Sequence, residues 1–304
     1  MKKVFSSTIS ITVLLVFGSF GCSEPQRSIK LATYTYATDN RLDKIEPLAV
    51  NLRAALGRPV ETTSYPDVAS FVAAIKADEV DIALINTLGY LVLALDNKHM
   101  TPVATLKVKK GAEDNYKTAV LTNNDKIKSL DLLQANAKSL TMMFVAEGST
   151  SGNLVPRLML SSLGLKSPES DFGQVTFGGN HTSTFQKLEA GEADLCAIGS
   201  NEYFKQLEKD STTANRLLWM SEEIPLGPVL INKRMTKAER QTISNLLFAL
   251  HEEDSLALDA LKSGWSEAQQ AEKFYPIDDA YYNSFRQMNG NATDLATILQ
   301  QFNY

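Results

Sequence analysis

Phe144-Val-Ala-Glu-Gly-Ser-Thr-Ser-Gly-Asn-Leu-Val-Pro156 reads as a β-strand that runs into a glycine, three hydroxyl residues, a second glycine and then a helix. Pro156 lacks an N–H, so it belongs in a first helical turn and sets the helix start near residues 151–153. Backbone N–H groups at such a start have no intrahelical partner and sit at the positive end of the helix dipole. Ser149, Thr150 and Ser151 add hydroxyl donors, and Gly148 and Gly152 are expected to let a ligand come close to the backbone. Donors that converge without formal charge suit a small tetrahedral oxyanion. An ordinary N-cap with spare serines fits the same residues. No GK[ST] follows, so this is not a Walker P-loop, and Thr150 at the centre of GSTSG is not a serine nucleophile elbow.

The pattern around this junction alternates strands and helices. IKLATYTY (29–36) is a strand, and DKIEPLAVNLRAALG is a helix with Leu48, Leu52 and Leu56 at helical spacing. PVETTSY is a second strand, Asp67 to Ala77 a helix, and VDIALI (80–85) a strand apolar enough to be buried on both faces. After residue 116 the alternation restarts with YKTAVLT, SLTMMFV, QVTF, DLCAI and RLLWM as strands, with helices between them. PVLIN (228–232) is another strand, Thr236 to Glu239 is a capping box, and the tail, FYPIDDAYYNSF included, reads as helical. This predicts an α/β protein whose sheets are mostly parallel and flanked by helices. If the tail packs on the first block, that block is discontinuous (29–115 plus 233–304) and the second spans 116–232. Ligand then sits in the cleft between the two lobes, near two crossings at 116–121 and 228–232. Two continuous domains side by side fit the same periodicity.

Met1-Lys2-Lys3, an uncharged apolar run and Gly21-Cys22 have the layout of a secretory signal over residues 1–21. Glycine before cysteine suits a lipoprotein signal, with lipid on Cys22 and a linker over 22–28. Ser19 and Phe20 depart from that motif, and an ordinary cleaved signal with a stray cysteine is the alternative. Cleavage before Cys22 leaves 283 of the 304 residues, removes Lys2 and Lys3 and takes the net charge from −5 to −7. Cys196, in the apolar run DLCAI, then has no disulfide partner and reads as buried filler. An acidic balance argues against a general nucleic-acid binder. The three histidines and Cys196 show no metal-ligand spacing, so neither metal nor cofactor is expected.

His181, in FGGNHTSTF, repeats the strand–glycine–polar–helix arrangement and can donate to an anionic oxygen. STSGNLVP, GGNH and the Gly191–Asp194 G-x-x-D together resemble the phosphate, phosphite and phosphonate group of ABC-importer binding proteins, across nearly the whole chain beyond the signal. The resemblance implies a two-lobe type II periplasmic-binding-protein fold with ligand in the inter-lobe cleft. By that resemblance the anion cradle falls on Ser149, Thr150, Ser151 and Gly152 with His181, and two tyrosines that close on the ligand fall on Tyr65 and Tyr116. The carboxylates with which aminophosphonate binders hold an ammonium fall on Asn201 and Gly227, neither of them acidic, although a one-residue slip brings in Glu202. A buried ammonium without paired carboxylates is costly, so a smaller or amine-free oxyanion is expected. Taken with the export and lipid anchor read from the signal segment, the resemblance implies a monomeric protein that hands phosphite, phosphate or an alkylphosphonate to an ABC permease. A sensor input coupled to a membrane kinase would use the same pocket. A phosphatase would need an acid/base pair or a metal cluster that the sequence does not offer.

Overall fold

Strand β1 (Ile29–Tyr34) runs through α1 (Leu42–Leu56) into β2 (Val60–Tyr65), and through α2 (Val68–Lys76) into β3 (Ile82–Leu84), in a computed structural model that describes residues 1, 27–109, 111–112, 116–287 and 292–302. The signal segment beyond Met1, and with it Cys22, lies outside the described residues. β1 pairs in parallel with both β2 and β3, a pairing that the helical crossovers α1 and α2 make possible. α3 (Thr87–Ala94) and β4 (Met100–Val108) follow.

The chain then builds a second sheet from β5 (Thr118–Thr122), β6 (Thr141–Phe144), β7 (Gln174–Phe177), β8 (Leu195–Gly199) and β9 (Leu217–Met220). The connecting helices are α4 (Leu130–Asn136), α5 (Val155–Ser162), α6 (Pro168–Asp171), α7 (His181–Glu189) and α8 (Ser200–Lys209). β10 (Pro228–Asn232) returns to the first sheet. α9 (Lys237–Glu253), α10 (Ser255–Ser263), β11 (Ala271–Pro276), α11 (Asn283–Gln287) and α12 (Ala292–Gln301) complete the chain.

The strand orders are β11-β4-β10-β3-β1-β2 and β7-β6-β8-β5-β9. Both sheets are mixed, which corrects the expectation of mostly parallel ones. Only β2-β1-β3 and β7-β6-β8 run parallel; β10 is antiparallel to β3 and β4, β11 to β4, and β5 to β8 and β9. The antiparallel pairs involve the strands that enter or leave at the two crossings, or that pair with these.

One difference from the sequence reading lies in the tail. AEKFYP forms β11, with Ala271 and Phe274 buried and Glu272 and Lys273 exposed. It pairs on one side only, with β4, and an edge strand tolerates Pro276.

Leu48, Leu52, Ile82, Ile231, Leu247 and Leu258 pack on one face of the first sheet, under α1, α9 and α10. The cluster on its other face holds Phe71, Val72 and Leu91 and continues into Leu154, Val155 and Leu158 at the start of α5, with Ile298 and Leu299 of α12. α12 therefore packs against both α3 and α5 and straddles the two sheets. Cys196 is fully buried in β8, where desolvation pushes its thiol pKa up. Among the described residues no helix is long and apolar enough to cross a membrane.

Candidate functional site

Between the sheets lies a cleft of about 960 Å³, lined in part by Ser149, Thr150, Ser151, His181, Tyr116, Tyr34, Tyr36 and Arg41. The turn that carries the three hydroxyls begins not as an α-helix but as a π-helical turn over Thr150–Leu154, and α5 starts at Val155 with Pro156 in its first turn. Pro156 explains the local pattern. Its missing N–H leaves the Gly152 carbonyl open, and the Val145 N–H takes it at 3.0 Å. The Ser149 hydroxyl caps the turn by accepting from the Gly152 N–H at 3.0 Å. The Thr150 hydroxyl accepts from the Leu88 N–H of α3 at 3.0 Å, and the Asn86 amide donates to the Gly148 carbonyl at 2.8 Å. Thr118 donates to the Ser151 carbonyl at 2.7 Å. Both sheets therefore hold the turn, and all three hydroxyl residues are buried.

Gly152 serves the turn differently from the sequence expectation. It does not line the cleft, and a Cβ there would stand 2.4 Å from the Val145 side chain. Its missing side chain lets the turn pack on the end of β6 and does not open the backbone to a ligand.

His181 is the first residue of α7, whose start Asn180 and Ser183 secure with a capping box. The Gly199 N–H donates to His181 Nδ1 at 2.9 Å. With Nδ1 as acceptor, the proton of the neutral ring sits on Nε2, which becomes a donor. Desolvation lowers the His181 pKa to about 4, although the Glu202 carboxylate pulls it the other way. The ring is thus a neutral donor at neutral pH.

A stability consequence follows from the sign of that shift. Between pH 6.5 and about 4 the unfolded chain protonates this histidine and the native chain does not, so stability falls as pH falls through that window. The loss is at most roughly 3.5 kcal/mol. Urea melts of the wild type and His181→Gln from pH 7.5 to 4 should show the variant losing less; parallel pH profiles would contradict the assignment.

The two tyrosines separate. Tyr116 is buried against the turn, where burial raises its pKa well above the ordinary range while hydrogen bonding with the Thr150 and Ser151 hydroxyls opposes this. Tyr65 is not among the lining residues. It stacks on Phe71 with ring centroids 5.4 Å apart, and its hydroxyl pairs with Glu79. It ends the edge strand β2, and α2 supplies the apolar surface that draws its ring outward. Tyr34 and Tyr36, at the end of β1 and just beyond, line the cleft in its place.

The cleft is also not free of formal charge. Arg41 and Lys205 line it together with the carboxylates of Asp39, Glu202, Glu208 and Glu267, which corrects the expectation of a cradle made of hydroxyls and helix ends alone. Glu202 is held by Thr182 at 2.8 Å. Asn201 lines the cleft and donates to the Ser266 carbonyl across the sheets at 3.0 Å, whereas Gly227 lies outside the lining. Among the described residues no group of three or more His, Cys, Asp or Glu could hold a metal ion.

Residues 32–282 match the family model described as ABC transporter, phosphonate, periplasmic substrate-binding protein. The phosphonates-binding periplasmic protein of Escherichia coli is 22% identical over 94% of this chain and 84% of its own length. The phosphate-import protein PhnD of Mycolicibacterium smegmatis is 26% identical over 63% of this chain, and the match spans 64% of that protein. The structure of PhnD1 from Prochlorococcus marinus in complex with methylphosphonate shares the fold at TM-score 0.65 and 16% identity, covering 91% of this chain and 98% of that one.

Proposed function

The chain belongs to the periplasmic substrate-binding proteins of phosphonate ABC transporters, and on that premise we propose that it captures a small phosphorus oxyanion at the Ser149–Ser151 turn and delivers it to an ABC permease. The observation that carries this is the turn itself: three buried hydroxyl residues at a helix start, with the neutral donor His181, lining a cleft between two sheets. Such donors select tetrahedral geometry, and no bond to the ligand is made or broken. Phosphite, phosphate and alkylphosphonates form the ligand class. A micromolar dissociation constant needs about −8 kcal/mol, which several charge-assisted hydrogen bonds at roughly 1.5–3 kcal/mol each can supply.

The two sheets act as the two lobes of a clamp, hinged where the chain crosses into β5 of one sheet and into β10 of the other. In the same reading the protein is exported and tethered to a membrane through a lipid on Cys22. A thermal-shift panel of phosphite, phosphate, methylphosphonate, aminoethylphosphonate and sulfate tests the reading, because a ligand that binds the native state raises the melting temperature. A shift with at least one phosphorus oxyanion and none with sulfate is expected. No shift with any phosphorus compound would overturn the assignment.

A further inference from the structure

We propose that Arg41 forms a second anion-recognition point in the cleft, and that the ligand is a phosphonate with a carboxylate at its far end. The inference rests on the reading above, in which the phosphonyl group sits at Ser149–Ser151. Arg41 lines the same cleft, from the loop between β1 and α1, so it belongs to the sheet opposite that turn. It is 3% exposed, and its Nε and Nη1 have no hydrogen-bond partner among the described residues. A buried guanidinium with open donors is costly unless something fills them.

The protein holds the group in place all the same. The guanidinium carbon lies 4.5 Å from the Trp265 ring centroid, 4.7 Å from that of Tyr34 and 5.3 Å from that of Tyr36. Arg41 also has φ of +58°, in the left-handed region that arginine rarely occupies. The loop fixes that conformation. Tyr36 and Asp39 exchange backbone hydrogen bonds at 2.9 Å, and the Asp39 carboxylate accepts from the Arg41 N–H at 2.9 Å. Aromatic faces cover the planar cation and the Tyr34 hydroxyl hydrogen-bonds with it, which leaves Nε and Nη1 to take an acceptor from the cleft.

Tyr36 links the two recognition points, because its ring also stacks on His181 with centroids 6.3 Å apart. The Glu267 carboxylate faces Arg41 electrostatically, and burial raises its own pKa while Arg41 lowers it. That carboxylate offsets the charge of Arg41 but leaves Nε and Nη1 open. A carboxylate matches a guanidinium edge in geometry as well as charge. At the open Nε and Nη1 edge an ammonium would meet the like charge of Arg41, and the described carboxylates that line the cleft leave both of those donors unpaired.

Titration calorimetry with ethylphosphonate, aminoethylphosphonate and phosphonoacetate on the wild type and Arg41→Met tests this. The wild type should bind phosphonoacetate roughly tenfold or more tighter than ethylphosphonate. Arg41→Met should weaken phosphonoacetate at least roughly tenfold more than it weakens ethylphosphonate. Equal wild-type affinities, tightest binding of aminoethylphosphonate, or an equal loss for both probes in the variant would overturn the proposal. If the variant melts early, the wild-type comparison still decides. Binding of ethylphosphonate without any gain for phosphonoacetate sinks this inference alone, as does binding of phosphite or phosphate but of no phosphonate, whereas no binding of any phosphorus oxyanion sinks the functional reading beneath it.

Discussion

Replacing Ser149 and Ser151 together by alanine is expected to weaken methylphosphonate binding roughly 100-fold or more, because two charge-assisted hydrogen bonds at roughly 1.5–3 kcal/mol each are removed. The two positions differ in what else they do. Ser149 caps the turn through the Gly152 N–H, so its loss should also cost about 1 kcal/mol of stability. Ser151 holds no such cap but hydrogen-bonds with the buried Tyr116, so its loss should also cost about 1 kcal/mol of stability beside the effect on binding. Thr150 is a useful contrast, since its hydroxyl is already engaged by the Leu88 N–H. Thr150→Val leaves that donor buried and unpaired, which links binding at the turn to the packing of α3. Calorimetry paired with thermal melts of the single and double variants separates these effects. Full affinity in the double variant would mean that the oxyanion sits elsewhere.

The second large effect concerns Gly227, which lies outside the cleft lining. A Cβ at this position would stand 1.9 Å from the Ile85 carbonyl oxygen and 2.7 Å from the Asn86 Cα, both backbone atoms. Neither can move without displacing the start of β10 from β3 and the cap of α3, where Asn86 accepts from the Gly89 N–H at 2.9 Å. Gly227→Ala should therefore destabilise the protein by roughly 3 kcal/mol or more and lower the melting temperature by about 10 °C. Binding should weaken as well, because Asn86 also braces Gly148. A variant that melts within a few degrees of the wild type would contradict this packing. Here glycine is a steric demand of the hinge region, so the lack of a carboxylate at this position carries no information about the ligand.

These two cases show what a linear reading can and cannot see. The turn at 149–151 and the start of α7 are local objects. A strand, a glycine, small polar residues and a proline or cap stand next to one another in the sequence, and their stereochemistry follows from neighbours alone. The sheets themselves were legible where a helix connects parallel strands, as in β1–α1–β2. β11 was not, because AEKFYP becomes a strand only by pairing with β4, more than 160 residues earlier.

Arg41 and Glu267 stayed hidden for the same reason. DNR reads as an ordinary polar turn, and nothing in it announces that Trp265 will stack on the arginine. TYTY signalled aromatic residues at a strand end, but not which tyrosines would face the cleft. Tyr34 and Tyr36 do, and Tyr65 turns toward Phe71 instead. What long-range packing brings together is therefore where this site acquires charge, while its hydroxyl cradle is set by local sequence.

The most direct test of the account is a crystal structure of the protein grown with methylphosphonate. The phosphonyl oxygens should lie within hydrogen-bond distance, about 2.5–3.2 Å, of the Ser149–Ser151 turn and of His181 Nε2. Ligand density in the cleft away from that turn, or a turn left without ligand in a protein that binds methylphosphonate in solution, would contradict it.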